Sequence, residues 1–380
     1  MSFLDRIEAL ARWPLSFMRS QDSHGTDKES RALENFEKNG IYNNPRADSR
    51  RAKGDNVKVI SYNIFKGQDE KELKEFLEGE IDEAKQDGSA VVINLQEVKD
   101  KKQALRLAKS LGLNVAYRDG QDDKKAHKAI LTDAPIESAR DVEYRQDRKE
   151  QEEAYKRVNE KRKKEGRSHT NEPLQDRSVL DVAIHLGGRR VHLLDTHLSL
   201  GSSKNNSMEV DQLKKIADGY KKKGDGVIIA GDFNDDLSGR NVGNMTDPAV
   251  RGNVSELKEG YQDAWDHASP DGRELTLDGA PLNFLDALAQ GLNTHAWNSR
   301  QARLGSDSLS PAEKEKALRS LEQIYRGYEQ EGTSFGTTHL GAHKRFDGVF
   351  VSEDMEVQSI EVDYSAGSSD HQPVVVDVTV

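Results

Sequence analysis

The 380-residue sequence predicts an α/β chain in which two packed β-sheets are flanked by helices, and three observations carry that expectation. Residues 56–64, NVKVISYNI, alternate apolar and polar side chains as a half-buried strand does. Residues 91–95, VVINL, form the continuous apolar run of a strand buried on both faces. Between and after such segments apolar residues recur at helical spacing, so strands and helices are mixed along the chain rather than segregated.

Taken in order, the first element is a candidate amphipathic helix over 2–19, where Phe3, Leu4, Ile7, Leu10 and Ala11 share a face. Trp13, Leu15, Phe17 and Met18 extend its apolar character beyond Pro14, with Arg6, Arg12 and Arg19 among them. Two readings fit: an interfacial membrane anchor or secretion signal, and a helix docked on the protein's own surface. Residues 21–54 are rich in charged and small polar residues and read mostly as linker, so residues 1–55 form an N-terminal segment and linker. The folded domain is expected over 56–380. Its first strand is followed by a helix over 69–86 that turns Leu73, Phe76, Leu77, Ile81 and Ala84 inward. After the buried strand comes a second helix, with Ala104, Leu105, Ala108 and Leu111 on one face. Further strands are expected at 129–132, 180–185, 191–195, 227–230, 346–351, 357–362 and 374–378.

Two segments break this rhythm and read as insertions near 145–170 and 300–335. Residues 145–167 are almost uniformly charged and lean basic, as a polyanion-gripping arm or a solvated helix with internal ion pairs would. Residues 310–332 open on SPAE, which supplies a cap serine, a first-turn proline and a glutamate three residues on. Ala317, Leu318, Leu321, Ile324, Tyr325 and Tyr328 then form a packing face.

Hydrophobic residues make up 34% and charged residues 32%, a polar balance that points to a heavily charged surface and to segments outside the core. A net charge of −11 argues against coating nucleic acid by bulk electrostatics, but leaves room for a locally basic groove. With no cysteine, disulfides, thiolate metal sites and a cysteine nucleophile are excluded. No apolar run approaches the roughly 20 residues that span a bilayer, and no Sec-type signal is apparent. The cytoplasm is therefore the favoured compartment, although specialised export leaves no readable mark.

Polar residues stand at the ends of strands in six segments. Asn63 ends SYN, Glu97 ends the buried VVINLQE, His197 ends LLDTH, and Asp232 and Asn234 follow VIIAG. Asp347 opens the strand in KRFDGVFVS, and Asp370 and His371 immediately precede the last strand in SSDHQPVVVDV. Carboxylates and amides hold hard cations, and a histidine near a carboxylate can activate water. Each segment alone is weak; their order and strand contexts together are specific.

In that order SYN, LQEV, THL, GDFN, RFDGVFVS and SDHQPV resemble the motif series of the endonuclease/exonuclease/phosphatase superfamily, over about residues 56–380 with both insertions unmatched. The resemblance implies a four-layer sandwich of two mixed β-sheets with helices outside, and a Mg²⁺-dependent phosphoesterase in which Mn²⁺ could substitute. It implies Glu97, Asn63 and Asp370 around the metal, and His371 as general base oriented by Asp347. Asp232 and Asn234 would position the nucleophile and phosphate, His197 would meet a phosphate oxygen or the leaving group, and Arg177 would bind phosphate.

Within the superfamily, Phe65 stands where abasic-site endonucleases usually carry an acidic residue, and GDFND and KRFDG depart from the inositol polyphosphate phosphatase pattern. The remaining substrates are nucleic acid, a phospholipid and a small phosphodiester. Arg177, the basic arm, Lys344 and Arg345 favour nucleic acid, whereas the segment 2–19 favours a lipid surface. A catalytically silent scaffold with the same fold is the alternative of another class.

Overall fold

The computed structural model describes residues 23–67, 69–118, 127–164, 176–200, 202–235, 237, 253–268, 273–276, 345–363, 366, 369 and 371–380. In chain order these form α1 (Ser23–Asn39), β1 (Ile41–Tyr42), β2 (Asn56–Asn63), α2 (Glu70–Asp87), β3 (Ala90–Val98), α3 (Lys101–Leu111), β4 (Asn114–Arg118) and β5 (His127–Thr132). Next come β6 (Ser138–Glu143), α4 (Arg148–Lys164), β7 (Ser178–Leu186), β8 (Arg189–His197), α5 (Ser203–Lys221) and β9 (Gly226–Asp232). The last are β10 (Tyr261–Asp263), α6 (Ala264–His267), β11 (Arg273–Thr276), β12 (Asp347–Ser352), β13 (Glu356–Asp363) and β14 (Val374–Thr379).

One sheet runs β1-β4-β5-β3-β2-β14-β13-β11 and the other β10-β12-β9-β8-β7-β6. Each contains a parallel pair bridged by a helix, β2 and β3 through α2, and β8 and β9 through α5. Parallel neighbours need such a crossover, and it places the helices on the outer faces. Local chemistry sets the crossover helices. Asp69 caps α2 by accepting from the backbone N–H groups of Lys71 and Glu72, and Gly88 ends the helix at φ 75°. Ser202 caps α5 by accepting from the Asn205 N–H.

The result is the four-layer sandwich expected from the sequence. Leu73, Leu77 and Ile81 of α2, with Ala104 and Leu107 of α3, pack on Ile60, Tyr62, Ile93 and Leu95 of the first sheet. Val210, Leu213 and Ala217 of α5 pack on Leu194, Val227, Ile229 and Phe350 of the second. Between the sheets lies the central core, including Val57, Val59, Val92, Leu193, Ile228, Ala230, Val349 and Val376. Strand side chains alternate in direction, so this inner face can be followed outward by twos. In β2 it continues from Val59 to Ser61 and Asn63; in β3 from Val92 to Asn94 and Gln96. In β8 it runs from Leu193 to Asp195 and His197, and in β9 from Ala230 to Asp232. All of these are buried, so the core turns polar at one end of the sandwich.

Residues 23–55 depart from the expected linker. Phe36 and Tyr42 are buried and meet edge to face, the Tyr42 hydroxyl donates to Glu29, and β1 extends the first sheet beside β4. Gly40, at φ 65°, makes the junction: a Cβ there would stand 2.2 Å from the Tyr117 carbonyl oxygen. Charge content had obscured a short apolar face, in which Ala32, Leu33 and Phe36 of the helix and Tyr42 of β1 join the core of the first sheet. The segment 2–19, the helix expected over 310–332, Lys344 and Asp370 lie outside the described residues. No described helix is long and apolar enough to cross a membrane.

Candidate active site

The polar end of the core gathers the strand termini named from the sequence. Parallel β2 and β3 bring Asn63 beside Gln96, one residue before Glu97, and parallel β8 and β9 bring His197 beside Asp232. β12 runs antiparallel to β9, so its first residue, Asp347, is the register partner of Asp232, the last residue of β9. β14 runs antiparallel to β2, which places the approach to β14, and with it His371, at the Asn63 end.

The side chains form one connected network. His371 Nδ1 is 2.7 Å from Asp347 Oδ2, and its Nε2 is 3.7 Å from Asp232 Oδ2. His197 Nε2 lies 3.4 Å from that same oxygen. Asn63 Nδ2 donates to Asp232 Oδ2 at 3.1 Å and to Glu97 Oε1 at 3.4 Å. Ser369 ties the approach to β14 in place, its hydroxyl donating to the Asn63 carbonyl and accepting from the His371 N–H.

The backbone is unusual at these positions. Glu97 and Asn234 adopt φ 54° and φ 48°, a left-handed region that costs non-glycine residues energy and often accompanies functional sites. At Glu97 the β3–β5 register shifts between Leu95 and Val98, and such a bulge re-aims a side chain. Asn234 donates its backbone N–H to Asp232 Oδ1 and its side-chain amide to the Leu198 carbonyl, tying the turn after β9 to the turn after β8. Gly231, at φ 147°, permits the close approach of these strands, since a Cβ there would lie 2.0 Å from the Thr196 carbonyl oxygen.

Burial and neighbours set the charges. Burial pushes the Asp232 carboxyl above its ordinary range, and Asp347 adds to the effect while His371 opposes it. His197 is driven well below the ordinary histidine range by burial and by the positive charges of Arg177, His371 and Lys128. It is therefore a neutral imidazole at neutral pH. Arg177 itself lies near enough for its charge to act on both His197 and the buried Glu209.

The donor set suits a hard divalent cation: the carboxylates of Glu97, Asp232 and Asp347 and the amide of Asn63, with no thiolate. Asp232, Asp347 and His371 offer ligand atoms that all lie within 4.8 Å of one another. Two neighbouring buried carboxylates repel, and a bound cation would relieve that repulsion.

Thus Asn63, Glu97, His197, Asp232, Asn234, Asp347 and His371 meet at one end of the sandwich, with Arg177 in electrostatic reach. Arg345 does not join them as a groove cation. It is buried in a two-pronged pair with Asp263, at 2.8 and 2.7 Å, and its Nη2 also donates to the Leu237 carbonyl. Its position two residues before Asp347 misleads because Arg345 precedes the strand, outside its alternation, and turns to Asp263 instead. The sequence reading missed Gln96, Asp195 and Ser369. The first two could have been found by parity, because each shares the inner face with a named residue on its own strand or the adjacent one.

The sequence profile of the Endonuclease/Exonuclease/phosphatase family matches residues 60–371. The chain belongs to this family. Members of the family are phosphoric ester hydrolases and are generally metal-dependent. Among solved structures, the chain is similar to an endonuclease/exonuclease/phosphatase from Beutenbergia cavernae, at 16% identity over 86% of this chain and 72% of that one, with a TM-score of 0.48. It is also similar to a mannosyl-6-phosphatase from Bacteroides thetaiotaomicron, at 15% identity over 85% and 100% of the two chains, with a TM-score of 0.46. A truncated TDP2 from Caenorhabditis elegans shares 17% identity over 86% and 98%, with a TM-score of 0.44. These identities are too low to transfer any one of those activities. No curated protein matches the sequence.

Proposed function

We propose that the chain is a Mg²⁺-dependent phosphodiesterase, with Mn²⁺ as substitute, and that its substrate is nucleic acid. The observation that carries the reading is the buried His371–Asp347 pair at 2.7 Å with His371 Nε2 turned toward Asp232. In this reading His371 Nε2 takes a proton from the attacking water, while Asp347 holds the imidazole in the Nδ1–H tautomer and stabilises the cation that forms. Asp232 orients the water. Glu97 and Asn63, with Asp370, hold the metal; a divalent cation bound there neutralises charge on the phosphoryl oxygens. His197, neutral and unable to repel the cation, donates from Nε2 to a phosphate oxygen or to the leaving group. Arg177 and Asn234 bind the phosphate, Asn234 through the part of its side chain not engaged with Leu198.

The nucleic-acid assignment rests on Arg177 and on the exposed lysines of α4, Lys149, Lys156 and Lys163, which recur every seven residues. It no longer has Arg345. A lipid or small-molecule diesterase would use the same centre, and the segment 2–19 that raised the lipid alternative lies outside the described residues. Hydrolysis of supercoiled plasmid, sphingomyelin and bis-p-nitrophenyl phosphate in parallel, with Mg²⁺, Mn²⁺ or EDTA, separates the substrates. Plasmid nicking that EDTA abolishes is the expected result. Cleavage of the lipid or the small diester alone would replace the substrate and keep the mechanism. Silence on all three, with no metal-dependent melting, would favour the scaffold reading.

A further inference from the structure

Beneath the proposed active site, a hydrogen bond crosses from sheet to sheet: Gln96 Nε2 donates to Asp195 Oδ1 at 2.7 Å, and both residues are fully buried. The same Nε2 reaches the Asn94 carbonyl at 3.3 Å, so both amide hydrogens have acceptors and the orientation of the amide is fixed by them. What remains is a surplus of acceptors. Gln96 Oε1 and Asp195 Oδ2 are buried and meet no hydrogen-bond donor, and the same holds for Asn94 Oδ1 on the neighbouring strand position, while the Ser61 hydroxyl, a donor as well as an acceptor, is likewise unpartnered. An ionised carboxylate adds only acceptors to such a place, whereas a protonated one supplies the missing donor.

The surroundings agree. Burial pushes the Asp195 carboxyl far above its ordinary range. Of the charged groups acting on it, Lys128 opposes that push and Asp141 adds to it. Lys128 is itself engaged, donating to Ser178 Oγ at 2.8 Å and lying 3.9 Å from Asp141. A buried unpaired carboxylate is costly, and the ordinary escape is to take up a proton.

The placement gives the pair a task. Gln96 immediately precedes Glu97, at the bulge that aims Glu97 toward Asn63. Asp195 shares a strand face with His197, two residues on. The two halves of the proposed site come from different sheets, and this bond joins them one step below the reacting groups. We propose that Asp195 is a neutral carboxylic acid that exchanges two hydrogen bonds with Gln96, as positioning residues fixing the Glu97 end of one sheet against the His197 end of the other.

The proton and the positioning role have separate tests, and only the second rests on the hydrolase reading. The first is infrared difference spectroscopy at neutral pH between wild type and Asp195→Asn. An un-ionised carboxyl stretch that is present in wild type and absent in the variant is expected; its absence from wild type overturns the neutral acid, whatever the protein hydrolyses. Asp195→Asn replaces the acid O–H with an amide N–H, so it is also expected to keep turnover of bis-p-nitrophenyl phosphate within about threefold. A loss above tenfold would mean that a negative charge is needed there.

The second test separates positioning from plain stability. Replacing both partners by apolar groups of similar size removes the pair's own buried polar atoms together and can be nearly neutral in stability. Gln96→Leu with Asp195→Leu is therefore expected to melt near wild type while kcat falls at least tenfold at unchanged KM. A kcat equal to wild type in that double variant overturns the positioning role. Should it fail to fold, the single Asp195→Asn and Gln96→Glu variants are compared: Gln96→Glu removes the amide donor, and kcat equal to wild type there overturns the role equally.

Discussion

Asp347 and Asp232 are register partners on antiparallel β12 and β9, and both carboxylates are buried at the polar end of the core. They are not equivalent. Asp347 holds His371 Nδ1 at 2.7 Å, whereas Asp232 Oδ2 is shared among the Asn63 amide, His197 and the far nitrogen of His371. One carboxylate therefore fixes a histidine and the other faces the space where water would be activated. Their different partners give two identical side chains different surroundings, one against a histidine and one facing the shared space.

Asp347→Asn tests the orienting role. The amide preserves size but favours the wrong tautomer of His371, so turnover should fall by about 10³-fold with little change in melting temperature. Steady-state kinetics on bis-p-nitrophenyl phosphate measures it; a loss below tenfold would detach Asp347 from the base.

Glu97→Ala and His371→Ala should each reduce turnover by at least about 10²-fold, for different reasons. Mg²⁺ should raise the melting temperature of the wild type and of His371→Ala, but much less that of Glu97→Ala. Equal metal shifts in the two variants would remove Glu97 from the metal site.

His197 predicts a direction for stability against pH. Its folded pKa is depressed, so its contribution is fully present above the ordinary histidine value and is lost as pH falls through the depressed one. His197→Asn should flatten the acid limb of a denaturation series below about pH 6.5. An unchanged limb would mean that other groups carry the acid sensitivity.

Arg345→Met should destabilise the protein by about 3–5 kcal/mol, because it removes the two-pronged partner of the buried Asp263 carboxylate and leaves the partly exposed Lys258 to face it. Burial alone pushes that carboxyl up, yet Arg345 and Lys258 hold it below its ordinary range. The pair's contribution is thus present above the ordinary carboxylate range and lost as pH falls through the depressed value. Urea denaturation at neutral pH checks the magnitude, and a change within 1 kcal/mol, about the size of a surface-pair effect, would contradict the buried role.

Neutralising Lys149, Lys156 and Lys163 together should leave the fold intact and lessen the salt dependence of duplex binding by up to about three counterions' worth. Salt titrations of DNA affinity measure the slope. An unchanged slope would make α4 a solvated helix and shift attention to Arg177.

Much of this architecture was legible in strand patterns. VVINL and VIIAG announced buried central strands, and the polar residues that follow them fall where the sheets' inner face reaches its end. Less was visible where a signal is split between distant segments. β1 and β10 are two and three residues long and exist through pairing with β4 and β12. α5 had its helical spacing, Val210, Leu213, Ala217 and Tyr220, hidden among lysines and aspartates. Arg345 read as a free cation because its partner, Asp263, lies 82 residues away. The Gln96–Asp195 bond joins residues 99 positions apart, and only the packing of one sheet on the other brings them together.

In the proposed mechanism His371, oriented by Asp347, activates water against a phosphodiester in the presence of a divalent metal. Hydrolysis of bis-p-nitrophenyl phosphate by wild type and His371→Ala, with Mg²⁺ and with EDTA, tests it most directly. Hydrolysis by the wild type that needs the metal and falls at least about 10²-fold in the variant is the predicted result. Metal-dependent hydrolysis that persists undiminished in His371→Ala would contradict it.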